Sequence, residues 1–434
     1  MKRPIVITLL VIALTFVCLG IAAVIFFTAN GGFPTNNPFD MRNIPSKLEE
    51  SKTLKVDIEK PLTLKVADDA GGVTITGAEV DTVQVKVIKT AYDSSQSRAD
   101  KEVKGIKYTI EQTDGTIILK YELPKSMNFN NKINTVDFVV TVPSETTVNV
   151  NTSMGEVSVS DIKGNVEIIN NFGKVTVENV EGALTIKNDS GAIKATAIKA
   201  GSADIDLQSS FGGITLEKVV GGNITLHSSS GAINLSNVRA SGDLKTKSDF
   251  GGTSYENGSA DSLTVGSSSG RVSLVKLIIR KEIKVEDDFG EIELQQALAG
   301  SYDLHTSSGA ITVEGAKNKL KAYTDFGGII IKNAESVILD LKTNSGTIRF
   351  NGSLGKGPHL VKSDFGGIDF ALPADTKLNV DLTTDFGAIS SDIPLTVTLD
   401  GSTDKNHQIG IMNGGGDQLT IKTGNGNISI QASQ

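Results

Sequence analysis

Apolar and polar residues alternate in short runs along most of this chain, and the runs come in pairs. Between Gly212 and Ser230, Ile214 and Leu216 alternate with polar residues, Gly221-Gly222 makes a turn, and Ile224 and Leu226 alternate again. Period-two alternation bounded by Gly and Asn predicts strands rather than helices. The unit then recurs. Ser-Ser-Phe-Gly-Gly-Ile at 209–214 returns as Ser-Ser-Ser-Gly-Ala-Ile at 228–233, Ser-Asp-Phe-Gly-Gly-Thr at 248–253 and Asp-Asp-Phe-Gly-Glu-Ile at 287–292, and onward to Thr-Asp-Phe-Gly-Ala-Ile at 384–389. The glycines of the phrase are Gly155, Gly173, Gly191, Gly212, Gly231, Gly251, Gly270, Gly290, Gly309, Gly327, Gly346, Gly366 and Gly387, with successive spacings of 18 to 21 residues. A fixed period of this length marks a repeat architecture. One pair of short strands cannot bury its apolar face, but a stack of pairs can. The prediction is an all-β fold: a single-stranded parallel β-helix of about 19–20 residues per rung. The phrase glycines fall at its corners, where the backbone takes positive φ.

A second order lies inside the first. The residue before the glycine alternates between Phe and something smaller: Phe172, Phe211, Phe250, Phe289, Phe326 and Phe365 interleave with Ser190, Ser230, Ser269, Ser308 and Ser345, and Phe386 follows. Ile168, Leu207 and Val285 each precede a Phe by four residues. An even separation along a strand means the same face. That parity places the Phe column inside, a core aromatic stack with Ser filling the rungs between. The rival reading is an outward aromatic ladder that binds a ligand.

The pattern divides the chain. Residues 1–4 form a short tip. Residues 5–27 are uncharged and apolar, preceded by Lys2 and Arg3, with no further Lys or Arg until Arg42. That length suffices for a membrane-spanning helix. The positive-inside rule then leaves the N-terminus cytoplasmic and residues 28–434 extracytoplasmic, a single-pass protein of the cell membrane. A cleaved signal peptide is the alternative. Residues 28–52, rich in Pro, Gly and Asn, read as a linker, with one helical turn open to Pro45–Lys52. Residues 53–150 read as an irregular β-rich cap and first rungs, 151–390 as the regular solenoid, and 391–434 as closing rungs that cover an exposed end.

Composition adds exclusions. The formal charge is −8 with both signs dispersed and no basic run, so nucleic acid is not an expected partner. The single cysteine, Cys18, lies within the apolar stretch, which leaves the outer part without disulfide chemistry.

The segments Val140-Thr141-Val142-Pro143 and Ser153-Met154-Gly155-Glu156-Val157, the repeated Ser-Gly-Ala-Ile and Phe-Gly-Gly-Ile phrases and the closing Gly-Asn-Gly-Asn-Ile together resemble the bacterial "putative adhesin" β-strand-repeat family, a domain-of-unknown-function family. The resemblance covers about residues 55–434. It implies a β-helix fold and an extracytoplasmic location; it brings no catalytic residues.

Candidate chemistry is sparse. Asp249, Asp288, Asp325, Asp364 and Asp385 each lie two before a phrase glycine. They read as corner residues bonding backbone N–H groups, with Asp364 and Asp385 on neighbouring rungs. His227 and His305 share a column but lie four rungs apart, and the histidines read as solvated surface residues. No nucleophile–base set, metal site or cofactor site is expected. Three functions stay open. The leading one is a non-catalytic, membrane-anchored, adhesin-like binding or structural module. It would be held in the membrane through residues 5–27 and meet a surface ligand: a polysaccharide, an envelope component or a protein. The others are an extracytoplasmic sensor or scaffold of envelope-stress signalling, and a β-helix carbohydrate-active enzyme.

Overall fold

The computed structural model describes residues 44–124, 133–397 and 405–433. These residues form a parallel β-solenoid and, among them, one short helix, Gln96–Gly105. The tip, the apolar stretch 5–27 and the linker as far as residue 43 lie outside the described residues. Among the described residues, no helix is long and apolar enough to cross a membrane.

One rung shows the plan. Ile205–Phe211 pairs in parallel with Leu184–Ser190 on one side and Ile224–Ser228 on the other. The chain turns at Gly212-Gly213 and continues as Ile214–Gly221, between Ile193–Ile198 and Ile233–Ala240. Within that strand Lys218 has φ 57°, and the burial phase flips there: Ile214 and Leu216 are buried before it, Val219 after it. Asp161, Asn179, Asn237 and Asn257 take the same left-handed bend in their own rungs. Asn and Asp adopt this conformation more readily than other residues with a Cβ. The bend gives the rung a third side. The interior is columns of aliphatic side chains in register, such as Leu184, Ile205, Ile224, Leu244, Leu263 and Ile283, all buried. Each such side chain stabilises the shaft by about 1.5–3 kcal/mol relative to exposure. Where a polar aromatic enters, its hydroxyl is satisfied: Tyr255 is fully buried and donates to Val238 O at 2.8 Å.

The phrase glycines stack on one another. A methyl built at Gly212 would lie 2.1 Å from Gly191 O, and one at Gly346 would lie 2.0 Å from Gly327 O. Glycine is therefore required by the close approach of successive corners. Positive φ is the lesser reason. Gly173 and Gly366 take it, at 138° and 154°, while Gly231 and Gly327 lie outside the left-handed region.

Both ends depart from chain order. The N-terminal elements are β1 (Ile44–Lys55), β2 (Leu62–Asp68), β3 (Val73–Ala78), β4 (Thr82–Asp93), α1 (Gln96–Gly105), β5 (Thr109–Thr113), β6 (Thr116–Tyr121), β7 (Thr135–Pro143), β8 (Thr146–Met154) and β9 (Val157–Ile162). β2 lies between β6 and β8, and β3 between β7 and β9, all parallel. The β6–β7 rung therefore sits outside the β2–β3 rung that precedes it in sequence. β1 pairs antiparallel with β4, and β4 with β7. Residues 44–52 are thus strand, where a linker with one helical turn was expected. Ladder bonds to β4, the Glu50–Lys89 ion pair at 2.6 Å and the bond from Ser46 Oγ to Asp100 Oδ1 on α1 at 2.6 Å hold them extended. At the other end, Asp417–Asn425 lies between His359–Phe365 and Leu378–Phe386. Ile428–Ala432 lies likewise between Ile368–Leu372 and Ile389–Ser391. His407–Met412 crosses Leu378–Phe386 antiparallel and covers that edge.

Candidate functional site

The Phe column is on the outside. Phe172, Phe211, Phe250, Phe289, Phe326, Phe365 and Phe386 are 59–77% exposed, which overturns the core stack expected from parity. The count of residues was right, but strand regularity ends too soon. In Ile205–Phe211, Leu207 and Ser209 are buried, Ser210 is half-buried and Phe211 is exposed. The corner begins after Ser209 and turns the next residues outward. There is no room inside, because the glycine carbonyls already fill the corner. The buried aromatic stack lies elsewhere: Phe350 and Phe370 pack at 5.0 Å between centroids on the neighbouring side of the shaft.

In the ladder, Ser190 aligns with Phe172 and Phe211, and Ser345 with Phe326 and Phe365. At the C-terminal end Asn425 aligns with both Phe365 and Phe386. The strand inserted out of chain order therefore keeps these two rings on alternate rungs, although they stand only one repeat apart in sequence. Asp364 and Asp385 are separated in the same way and are not neighbours.

The aspartates before the rings are half-buried or exposed, and three of them engage side chains rather than the corner backbone. Asp249 lies 3.7 Å from Lys247 and Asp364 3.0 Å from Lys362. Asp325 accepts from Asn344 Nδ2 at 2.6 Å and from the Tyr323 hydroxyl. The corner chemistry belongs to the preceding residue, three before each glycine, which the sequence reading passed over. There the side chain is buried and in most rungs donates to the glycine carbonyl of the rung below, although Thr152 Oγ1 and Ser267 Oγ find no partner. Ser228 Oγ reaches Gly212 O at 3.0 Å, Thr306 Oγ1 reaches Gly290 O at 3.1 Å and Thr343 Oγ1 reaches Gly327 O at 2.9 Å. The available signal was an inward-facing position occupied by small polar residues in rung after rung.

Two carboxyls interrupt this ladder of donors. Asp287 occupies the position in its rung. Its Oδ1 accepts from Phe289 N and Gly290 N at 3.1 and 3.0 Å, while its buried Oδ2 has no hydrogen-bond partner. Over Gly290, Asp287 Oδ2 and Gly270 O share one small space. Two acceptors facing one another favour the protonated acid, and burial pushes the Asp287 carboxyl up to about 6. Asp68 stands in the same column beside Thr152, and burial raises it to about 7. A carboxyl whose folded pKa is raised contributes most below its unfolded value and loses that contribution as pH rises through the folded one. Asp287→Ser should therefore stabilise the shaft at about pH 7.5, by about 1–2 kcal/mol, as a hydroxyl replaces an unpaired carboxylate. The gap between variant and parent should close as pH falls from 6 towards 4. Chemical denaturation across that range checks it.

The histidines divide. His227 and His305 are half-buried on the outer face, and His305 packs at 4.9 Å on Tyr323. His359 is buried, against the surface position expected. Its Nδ1 accepts from Leu339 N at 3.3 Å and its Nε2 lies 3.2 Å from Gly355 O, and burial lowers its pKa. Among the described residues, no group of three or more His, Cys, Asp or Glu is placed to hold a metal ion. A depression of about 1020 Å³ lies at the N-terminal end between Asp57–Leu62, Glu145 and Lys163, away from the ring column.

A family model described as Toastrack DUF4097 matches residues 62–256 and again 254–431. The chain belongs to this family. The two Toastrack matches together run the length of the shaft. No curated protein matches the chain. Among solved structures, one titled a "putative cell adhesion protein" from Clostridium sporogenes is 12% identical, with 89% of this chain and 100% of that one covered and a TM-score of 0.20. A "putative adhesin" from Bacteroides fragilis is 17% identical over 66% of this chain and 98% of its own, TM-score 0.31. Another from Parabacteroides merdae is 13% identical over 74% and 96%, TM-score 0.23. This Toastrack chain is an all-β parallel solenoid over the described residues.

Proposed function

We propose that the protein is an extracytoplasmic, adhesin-like binding module, tethered through the apolar residues 5–27 and meeting its ligand on the Phe column. The observation that supports this is the column itself. Seven large rings stand exposed at one register position along the shaft. Exposed apolar surface of this kind costs solubility and marks contact sites. A structural spacer has no need of it.

The test uses full-length protein displayed on cells. Phe250→Ala, Phe289→Ala and Phe326→Ala combined should leave the melting transition nearly unchanged, since exposed substitutions cost well under about 1 kcal/mol each. The same variant should lose most of its retention on isolated envelope polysaccharide and on neighbouring cells. Retention equal to the parent's would overturn the reading.

A further inference from the structure

We infer that the Phe column takes an extended polymer of amino sugars. This rests on the contact face proposed above and names its ligand. The column is periodic in space. The rings recur on alternate rungs, about 9.6 Å apart at the spacing of hydrogen-bonded strands. Between Phe365 and Phe386 the period is restored by Asn425, which arrives from a distant part of the chain. A ligand that engages several rings at once must repeat with the same step and be stiff enough to hold it. An extended β-linked glycan advances by nearly this distance for every two sugars, and the C–H face of a pyranose ring stacks on an aromatic ring. The serines between the rings, Ser230, Ser269, Ser308 and Ser345, are small and offer hydroxyls to the intervening sugar.

A peptide fits less well. The strands run across the shaft and their edges are taken by the rungs above and below, so the face presents no free strand edge for an extended peptide to join.

Charge sets the kind of sugar. Phe250, Phe289, Phe326, Phe365 and Phe386 each have an aspartate immediately before them. An ammonium group placed there meets a carboxylate and the face of a ring together, a pairing that favours cations over neutral groups. Lys247 and Lys362 pair with two of these aspartates at the surface, at 3.7 and 3.0 Å. Exposed pairs of this kind are weak and exchange readily. Asp288 is exposed beside its ring and, among the described residues, forms no ion pair. The chain's net charge of −8 has the same sign as the column.

The experiment is titration of the full chain, in detergent, with three soluble probes: a β-(1→4)-linked glucosamine hexamer, its fully N-acetylated counterpart and hexalysine. The glucosamine hexamer should bind at least about tenfold more tightly than either of the others, and its affinity should fall with added salt. Phe289→Ala should weaken both sugars, while D288N should weaken only the glucosamine hexamer. Equal binding of the N-acetylated hexamer would overturn the role of charge. Equal binding of hexalysine would overturn the glycan. If no probe binds but the triple Phe variant still abolishes retention on cells, the ligand class is wrong and the contact face stands. Retention indifferent to the triple variant removes the face itself.

Discussion

Gly327→Ala should cost the shaft more than about 3 kcal/mol, because the added methyl group is forced against backbone. The added carbon would lie 2.0 Å from Gly309 O, deep inside van der Waals contact. Neither partner can yield. Gly309 stands over Gly290 and Gly346 over Gly327 with the same 2.0 Å clearance, so a shift at one corner is passed to the next. Solenoid coupling is local. Hydrogen-exchange protection should therefore fall mainly in the strands flanking Gly309, Gly327 and Gly346. The control is another glycine. Gly266 lies within the strand Leu263–Ser267, and a methyl there meets nothing closer than 3.7 Å. Gly266→Ala should be neutral or stabilising by up to about 1 kcal/mol. Equal losses in the two variants would show that the corner column is not held by close approach.

Phe370→Ala should cost about 3–5 kcal/mol, and Phe289→Ala well under 1 kcal/mol. Phe370 is 1% exposed and stacks on Phe350; Phe289 is 71% exposed on the corner. The pair separates the two roles of one residue type, because the first change opens a cavity and the second removes a ring from water. Denaturant unfolding measures both. A large loss at Phe289 would return the ring column to the interior.

The rungs could be read from the sequence because their cause is local. Alternation such as Ile214 and Leu216 selects strands, and glycine at an 18–21 residue spacing selects corners, whatever lies elsewhere in the chain. The direction of the Phe column could not be read that way. Parity is a property of a regular strand, and Phe211 stands beyond the point where the strand stops being regular. The reason for the glycines was also hidden, since a distance of 2.0 Å to another corner depends on how rungs stack. The ladder of Ser, Thr and Asn three before each glycine was present in the sequence. It was obscured by the more conspicuous Asp and Phe that follow. His359 was missed because its neighbours, Leu339 and Gly355, come from a corner without the repeated phrase.

The threading of the C-terminal end also orders events during synthesis. Leu378–Phe386 leaves the ribosome before Asp417–Asn425, yet in the finished shaft the later strand separates it from His359–Phe365. Until residues 417–425 appear, the edge of His359–Phe365 is bare and the nearest strand able to cover it is Leu378–Phe386. That premature pairing would set Phe386 directly beside Phe365. The nascent chain must therefore hold this strand back, or release it again, before the alternation of rings can close.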